Sequence, residues 1–154
     1  FVYRQGAGDI LTDKYLYRSG KKSIYVFDKE NWKVVSEFDG RDAKIGKLQA
    51  TTQAGNNLLL IGDKGVAFFS PEGKMLNSAN LSIFSAAWNN RKCFAFTGNQ
   101  TQVFDLTSTS KIQDIAQTVT NGSMFLMSDD AAKLGIITSR SAHEDAKRLL
   151  FYQE

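Results

Sequence analysis

Residues Ser23–Phe38 read SIYVFDKENWKVVSEF, and the reading of this stretch decides the fold. Ile24, Val26, Tyr25 and Phe27 form a β-branched and aromatic run that suits a pleated surface. Asp28-Lys29-Glu30-Asn31 interrupts it with turn-forming, solvent-seeking side chains. Trp32, Val34, Val35 and Phe38 then resume the apolar pattern before Asp39-Gly40, a second turn signal. The stretch is a strand, a polar turn and a strand. A lone two-stranded ribbon is marginal in water, so it has to belong to a larger sheet.

Outward from this hairpin, related phrases recur. Tyr15-Leu16-Tyr17, Gly20 and Ile24–Phe27 match Leu58–Ile61, Gly62 and Val66–Phe69. Cys93–Phe96, Gly98 and Val103-Phe104 follow, and then Ile136-Ile137, a polar stretch over 139–145 and Leu149–Phe151. Aligning Phe27, Phe69, Phe104 and Phe151 gives intervals of roughly 35–47 residues, the length of a four-stranded supersecondary unit. Further strands are expected at Trp32–Phe38, Met75–Ala79 and Ile112–Ala116 on one side, and at Lys47–Thr52, Phe84–Trp88 and Met124–Met127 on the other. The first unit has only Phe1-Val2-Tyr3 in front of it, a segment expected to complete the last unit, which lacks a fourth strand.

Composition agrees with an all-β chain. There are 11 Phe, 12 Gly and a single Pro in 154 residues, with Asn, Ser and Thr punctuating short apolar runs. Pro71 fits a turn and would be out of place in a central strand. Helical signal is confined to Ala131–Leu134 and 141–150, neither with a sustained apolar stripe. With 19 Lys plus Arg against 16 Asp plus Glu, the net charge is +3 and the positive residues are scattered, which argues against nucleic acid as a partner. No apolar run approaches the roughly 20 residues of a membrane span, so membrane insertion is not expected, and a soluble chain is, with the cytoplasm favoured. The chain begins without Met, as a processed chain or a piece of a longer one would. Sequons at Asn80, Asn99 and Asn121 are triplets that Asn-rich turns produce by chance.

These repeats resemble those of β-propeller proteins of the WD40-like and YVTN or quinoprotein-like kind. The resemblance rests on Ser23–Asp28 followed by Lys33-Val34-Val35, on Gln102–Leu106, and on Gly65–Ser70 with Gly73-Lys74. It implies an all-β, β-propeller-like fold of about four blades of antiparallel four-stranded sheets, either a small ring or an arc of a larger propeller. The whole chain, 1–154, is then one domain with approximate units 1–42, 43–80, 81–120 and 121–154. The Gly-His and Trp-Asp pairs of WD40 blades are absent, as is a regular Thr-Gly-x-x-x-Trp phrase, so only the fold is carried over. A β-sandwich is the alternative for short alternating strands.

Chemistry-bearing residues are few. His143 is the only histidine, and its neighbours Glu144 and Asp145 are too close in sequence to share one metal ion with it. The pairs Asp9/Asp13, Asp39/Asp42 and Asp129/Asp130 lack calcium-loop spacing. Asp28 and Asp105 recur at one place in the repeat, which points to a turn role. Cys93, the sole cysteine, sits among Lys92, Phe94 and Phe96 and reads as a core thiol. No catalytic residue, metal ligand or cofactor site is assigned. Trp32 and Trp88, aromatics with polar neighbours, are the candidates for partner binding, with Trp88 expected to pack between units. Arg18, Lys21 and Lys22 form a basic turn suited to an acidic partner. The expected function is a non-enzymatic protein-interaction scaffold whose partner is another protein or a second copy of the chain. A propeller hydrolase or lactonase with a metal-assisted site and a carbohydrate-binding adhesion protein are the alternatives.

Overall fold

A computed structural model describes residues 9–20, 22–98, 100–115, 124–127, 133–138 and 148–153. All fifteen strands fall into antiparallel sheets, and no α-helix occurs among the described residues. The chain divides into two compact units, Phe1–Ser82 and Ile83–Glu154.

In the first unit, β1 (Ile10–Leu11), β2 (Tyr15–Ser19), β3 (Ile24–Asp28) and β4 (Val34–Phe38) form one sheet in sequence order. A single 3₁₀ turn, Gly40–Ala43, leads to a second sheet. That sheet comprises β5 (Leu48–Ala54), β6 (Asn57–Gly62), β7 (Gly65–Phe69) and β8 (Met75–Asn80), again in order. The second unit holds β9 (Ser85–Trp88), β10 (Lys92–Phe96), β11 (Thr101–Asp105) and β12 (Ser110–Ile115) in one sheet. A further three strands, β13 (Met124–Met127), β14 (Lys133–Thr138) and β15 (Arg148–Gln153), make its other sheet. Within each sheet every strand pairs with its neighbour in sequence, which is a meander and not the Greek-key order of a sandwich.

Strand pairing explains which side chains are buried. In the first sheet Tyr17, Val26 and Ile24 point one way and, with Ile10 and Phe38, join Leu58, Leu60, Ala67 and Phe69 of the second sheet in one core. Phe38 and Phe69 stack with ring centroids 4.8 Å apart. Strands β6, β7 and β10 differ from β3. Every residue of β7 and β10 is buried, as is all of β6 after Asn57, so these central strands are covered on both faces and read as continuous apolar runs. The β6–β7 hairpin turns on Asp63-Lys64, and the Ile45 carbonyl lies so close that a Cβ on Gly62 would stand 2.1 Å from its oxygen.

One strand escaped the sequence and another was expected from it. The outermost strand of the first sheet is Ile10–Leu11, a two-residue element too short to leave a periodic signal; Phe1–Tyr3 lies outside the described residues. The strand expected at Leu149–Phe151, rather than the helix that 141–150 also permitted, is found as β15, which pairs along its length with β14. There Phe151 stands opposite Gly135.

Candidate functional site

Three hairpins share a local design. Where β3 turns into β4, β7 into β8 and β11 into β12, the pairing register slips at Phe27, Phe69 and Phe104 respectively. Just before each outer strand a residue adopts left-handed backbone: Trp32 (φ 58°), Gly73 (φ 83°) and Thr109 (φ 58°). Glycine is the natural occupant of such a position. A tryptophan there carries a steric penalty of about 1–2 kcal/mol that the surrounding turn has to hold in place.

The β3–β4 turn does hold it. The Trp32 N–H donates to the Asp28 carbonyl at 2.7 Å, and the Asp28 N–H donates to the Lys33 carbonyl at 2.9 Å. One carboxylate oxygen of Asp28 accepts the Glu30 N–H at 2.7 Å, and the side-chain oxygen of Asn31 accepts the Lys33 N–H at 2.9 Å. The neighbouring β1–β2 turn is tied in, because Lys29 donates its backbone N–H to the Lys14 carbonyl and its Nζ to the Thr12 carbonyl. Trp32 itself is 60% exposed. The same two turns line a cleft of about 420 Å³ formed by Asp13, Lys14, Tyr15, Asp28, Lys29 and Glu30. This cleft escaped the sequence reading, although the polar runs at residues 12–14 and 28–31 were its signal: a four-stranded meander brings its first and third turns to the same end.

The other candidates are dispersed. Trp88 ends β9 opposite Cys93 and is 38% exposed. Arg18 lies within β2 and not in a turn; the turn runs from Gly20, whose N–H donates to the Ser23 carbonyl. Its guanidinium grips the Asp9 carboxylate through Nε at 3.0 Å and Nη2 at 2.7 Å, and lies 6.0 Å from the centre of the Phe27 ring. That hydrogen-bonded pairing lowers the pKa of Asp9 and raises that of Arg18. Lys22 is exposed, while Lys21, His143 and the Asp129/Asp130 pair lie outside the described residues.

Three further carboxylates are turn caps. Asp39 accepts the Arg41 N–H, and Asp63 accepts the Lys47 N–H at 2.7 Å. Asp105 accepts the N–H groups of Thr107 and Ser108, both at 2.8 Å. Burial pushes the Asp105 pKa up, but the backbone donors of Ser108 and Thr107, the Ser108 side chain and the charge of Lys92 outweigh it, and the net shift is downward. Among the described residues no three His, Cys, Asp or Glu side chains are grouped to hold a metal ion. Cys93 is wholly buried, and desolvation pushes its thiol pKa up to about 12.

No family model and no curated protein matches the chain. Solved structures do. A chain of Kuenenia stuttgartiensis hydrazine synthase superposes with a TM-score of 0.59 at 14% identity over 98% of this chain and 49% of its own. A chain of the S. cerevisiae Dbp5 complex with Nup159, Gle1, IP6 and ADP superposes with a TM-score of 0.48 at 13% identity over 95% of this chain and 43% of its own. The protein thus spans about half the length of the hydrazine synthase chain it matches, and its fold is all-β and β-propeller-like.

Proposed function

We propose that the chain is a non-enzymatic interaction scaffold of β-propeller type that presents the β3–β4 turn to a protein partner. One observation carries this reading: a tryptophan, 60% exposed, occupies a left-handed position that favours glycine, in a turn braced by hydrogen bonds from both sides. Local strain held by its surroundings, and a large aromatic offered to solvent, are both features of binding sites. The rigid turn limits the entropy lost when Trp32 is captured. The adjoining cleft, with Asp13, Asp28 and Glu30 beside Lys14 and Lys29, supplies polar groups for the rim of such a contact. Trp88 and Lys22, both exposed, are secondary contact candidates, and Lys21 joins them by its place in the sequence.

The test compares capture by the wild-type chain and by Trp32→Gly, with the partner identified by mass and its stoichiometry measured. A single stoichiometric protein whose affinity falls about thirtyfold in the variant, the loss of a contact worth about 2 kcal/mol, supports the reading. A partner bound equally by both chains removes Trp32 from the site, and stoichiometric turnover of a metal-dependent ester substrate would replace the scaffold with an enzyme.

A further inference from the structure

The three bulged hairpins fasten their turns differently at one matching position. The residues that follow Asp28, Ser70 and Asp105 are Lys29, Pro71 and Leu106. Leu106 is fully buried, and its N–H donates to the Arg91 carbonyl of the β9–β10 turn at 2.8 Å. Pro71 has no N–H to give, and its carbonyl accepts the Ser36 hydroxyl of β4. Lys29 repeats the backbone bond of Leu106, donating its N–H to the Lys14 carbonyl at 2.9 Å, but in place of a buried leucine it offers a half-buried amine whose Nζ donates to the Thr12 carbonyl at 2.8 Å. The ladder ends at Asp28, opposite Tyr15, and residues 29–33 lie beyond it. Among the described residues, Lys29 is the one member of that loop with a hydrogen bond to another turn; Glu30, Asn31, Trp32 and Lys33 bond to one another and to Asp28.

We infer that Lys29 is the positioning residue for Trp32: by holding the β3–β4 turn against the β1–β2 turn, its amino group fixes the direction in which the indole is presented. This rests on the reading of Trp32 as the contact residue and adds what holds it ready. Bonds inside the loop set its shape and leave its tilt from the sheet open. The two Lys29 bonds set the tilt, because they meet the Thr12–Lys14 turn at both of its ends. That turn is itself anchored. Thr12 is buried and exchanges hydrogen bonds with Tyr15 through its hydroxyl, and the Lys14 N–H donates to the side-chain oxygen of Asn56 in the second sheet at 3.2 Å. The Tyr17 hydroxyl fixes Asn56 in turn, donating to its carbonyl at 2.6 Å. A line of contacts therefore runs from the second sheet through Asn56, the β1–β2 turn and Lys29 to Trp32.

Two opposed forces act on this loop. The left-handed backbone at Trp32 favours release, since a rearrangement that returns residue 32 to the ordinary region relieves its strain. The charged donor of Lys29 on a carbonyl opposes release, and such bonds are stronger than neutral ones. Leu106 does the same task by burial, whereas Lys29 does it from the wall of the cleft of about 420 Å³. Without the amine one neutral backbone bond is left to set the tilt. A turn that is binding-competent in only a fraction of molecules then captures its partner with an affinity reduced by that fraction.

The test needs no partner. In a Trp88→Phe background Trp32 is the sole tryptophan, and its fluorescence anisotropy decay reads the motion of the turn in the free, full chain. Lys29→Met, which keeps most of the stem and loses the donor, is expected to cut the slow anisotropy component by roughly half as nanosecond loop motion appears, at temperatures well below unfolding. Lys29→Arg, which keeps a charged donor, is expected to restore it. Should Lys29→Met fail to fold, Lys29→Gln, polar but one atom shorter, is expected to loosen Trp32 in the same direction. An anisotropy decay in Lys29→Met that matches wild type overturns the inference, and so does equal loosening in the Met and Arg variants, which would assign the effect to the stem. With the partner identified by the Trp32→Gly comparison, Lys29→Met is expected to raise the Kd about tenfold and Lys29→Arg by less than about threefold. A loosened Trp32 that still binds that partner as wild type does also overturns it. Failure of the capture assay would remove Trp32 as a contact and leave the anisotropy result standing, so the two readings fail separately.

Discussion

Asp105 shows how much one turn residue does. Its carboxylate accepts two backbone N–H groups, and its pKa is depressed in the folded protein, so the stability it contributes is present above the ordinary aspartate pKa near 4 and is lost as pH falls through the lower folded value. Asp105→Ala is expected to destabilise the chain by about 1–2 kcal/mol at neutral pH, and Asp105→Asn, which keeps an acceptor, by less and with a flatter acid limb in pH-dependent chemical denaturation. The role was legible because Asp28 and Asp105 hold matching places in two copies of one phrase, and the structure gives both as caps. Trp32 was legible as a candidate, but its backbone was not: nothing in Glu-Asn-Trp-Lys announces a left-handed residue, whereas Glu-Gly-Lys at the matching turn does. Cys93 is expected to resist a thiol reagent in the native state and to react only on unfolding, since a thiol with a pKa near 12 carries little thiolate at neutral pH.

At the scale of elements, central strands announced themselves and edges did not. The runs Leu58–Ile61, Val66–Phe69 and Cys93–Phe96 are found as β6, β7 and β10, because burial on both faces writes an unbroken apolar stretch. Ile10–Leu11 escaped, since two residues carry no period, and so did the β1–β2 side of the cleft that depends on it. The β6–β7 hairpin gives a sharp test of the close approach at Gly62. Gly62→Ala forces a methyl onto the Ile45 carbonyl and is expected to cost about 1–3 kcal/mol in urea denaturation, while Gly55→Ala, where no atom lies within 4 Å of the added Cβ, meets no such clash and pays only for its φ of +63°.

At the scale of the whole chain, sequential pairing in all four sheets has a kinetic corollary. Contacts between adjacent strands close short loops, so refolding is expected to run faster than that of Greek-key proteins of similar length, in the millisecond range in stopped-flow fluorescence from Trp32 and Trp88. A refolding phase of many seconds would show that steps beyond strand pairing limit the rate. The sequence favoured this meander through the recurrence of its phrases, which no sandwich needs. Function was less legible, because recurrence marks what each copy needs in order to fold, whereas a binding residue is the one that differs between copies.

The contrast between sheets buried on both sides and a sheet buried on one has an evolutionary side. Strands β6, β7 and β10 leave no position that can drift without disturbing packing, so a saturation mutagenesis map should show them as continuous bands of intolerance. In β2 and β3 the bands should break, with Leu16, Tyr17, Ile24 and Val26 fixed and Arg18 and Tyr25 free to vary unless a partner constrains them. Any constraint on those two beyond what folding asks would be the imprint of selection for company.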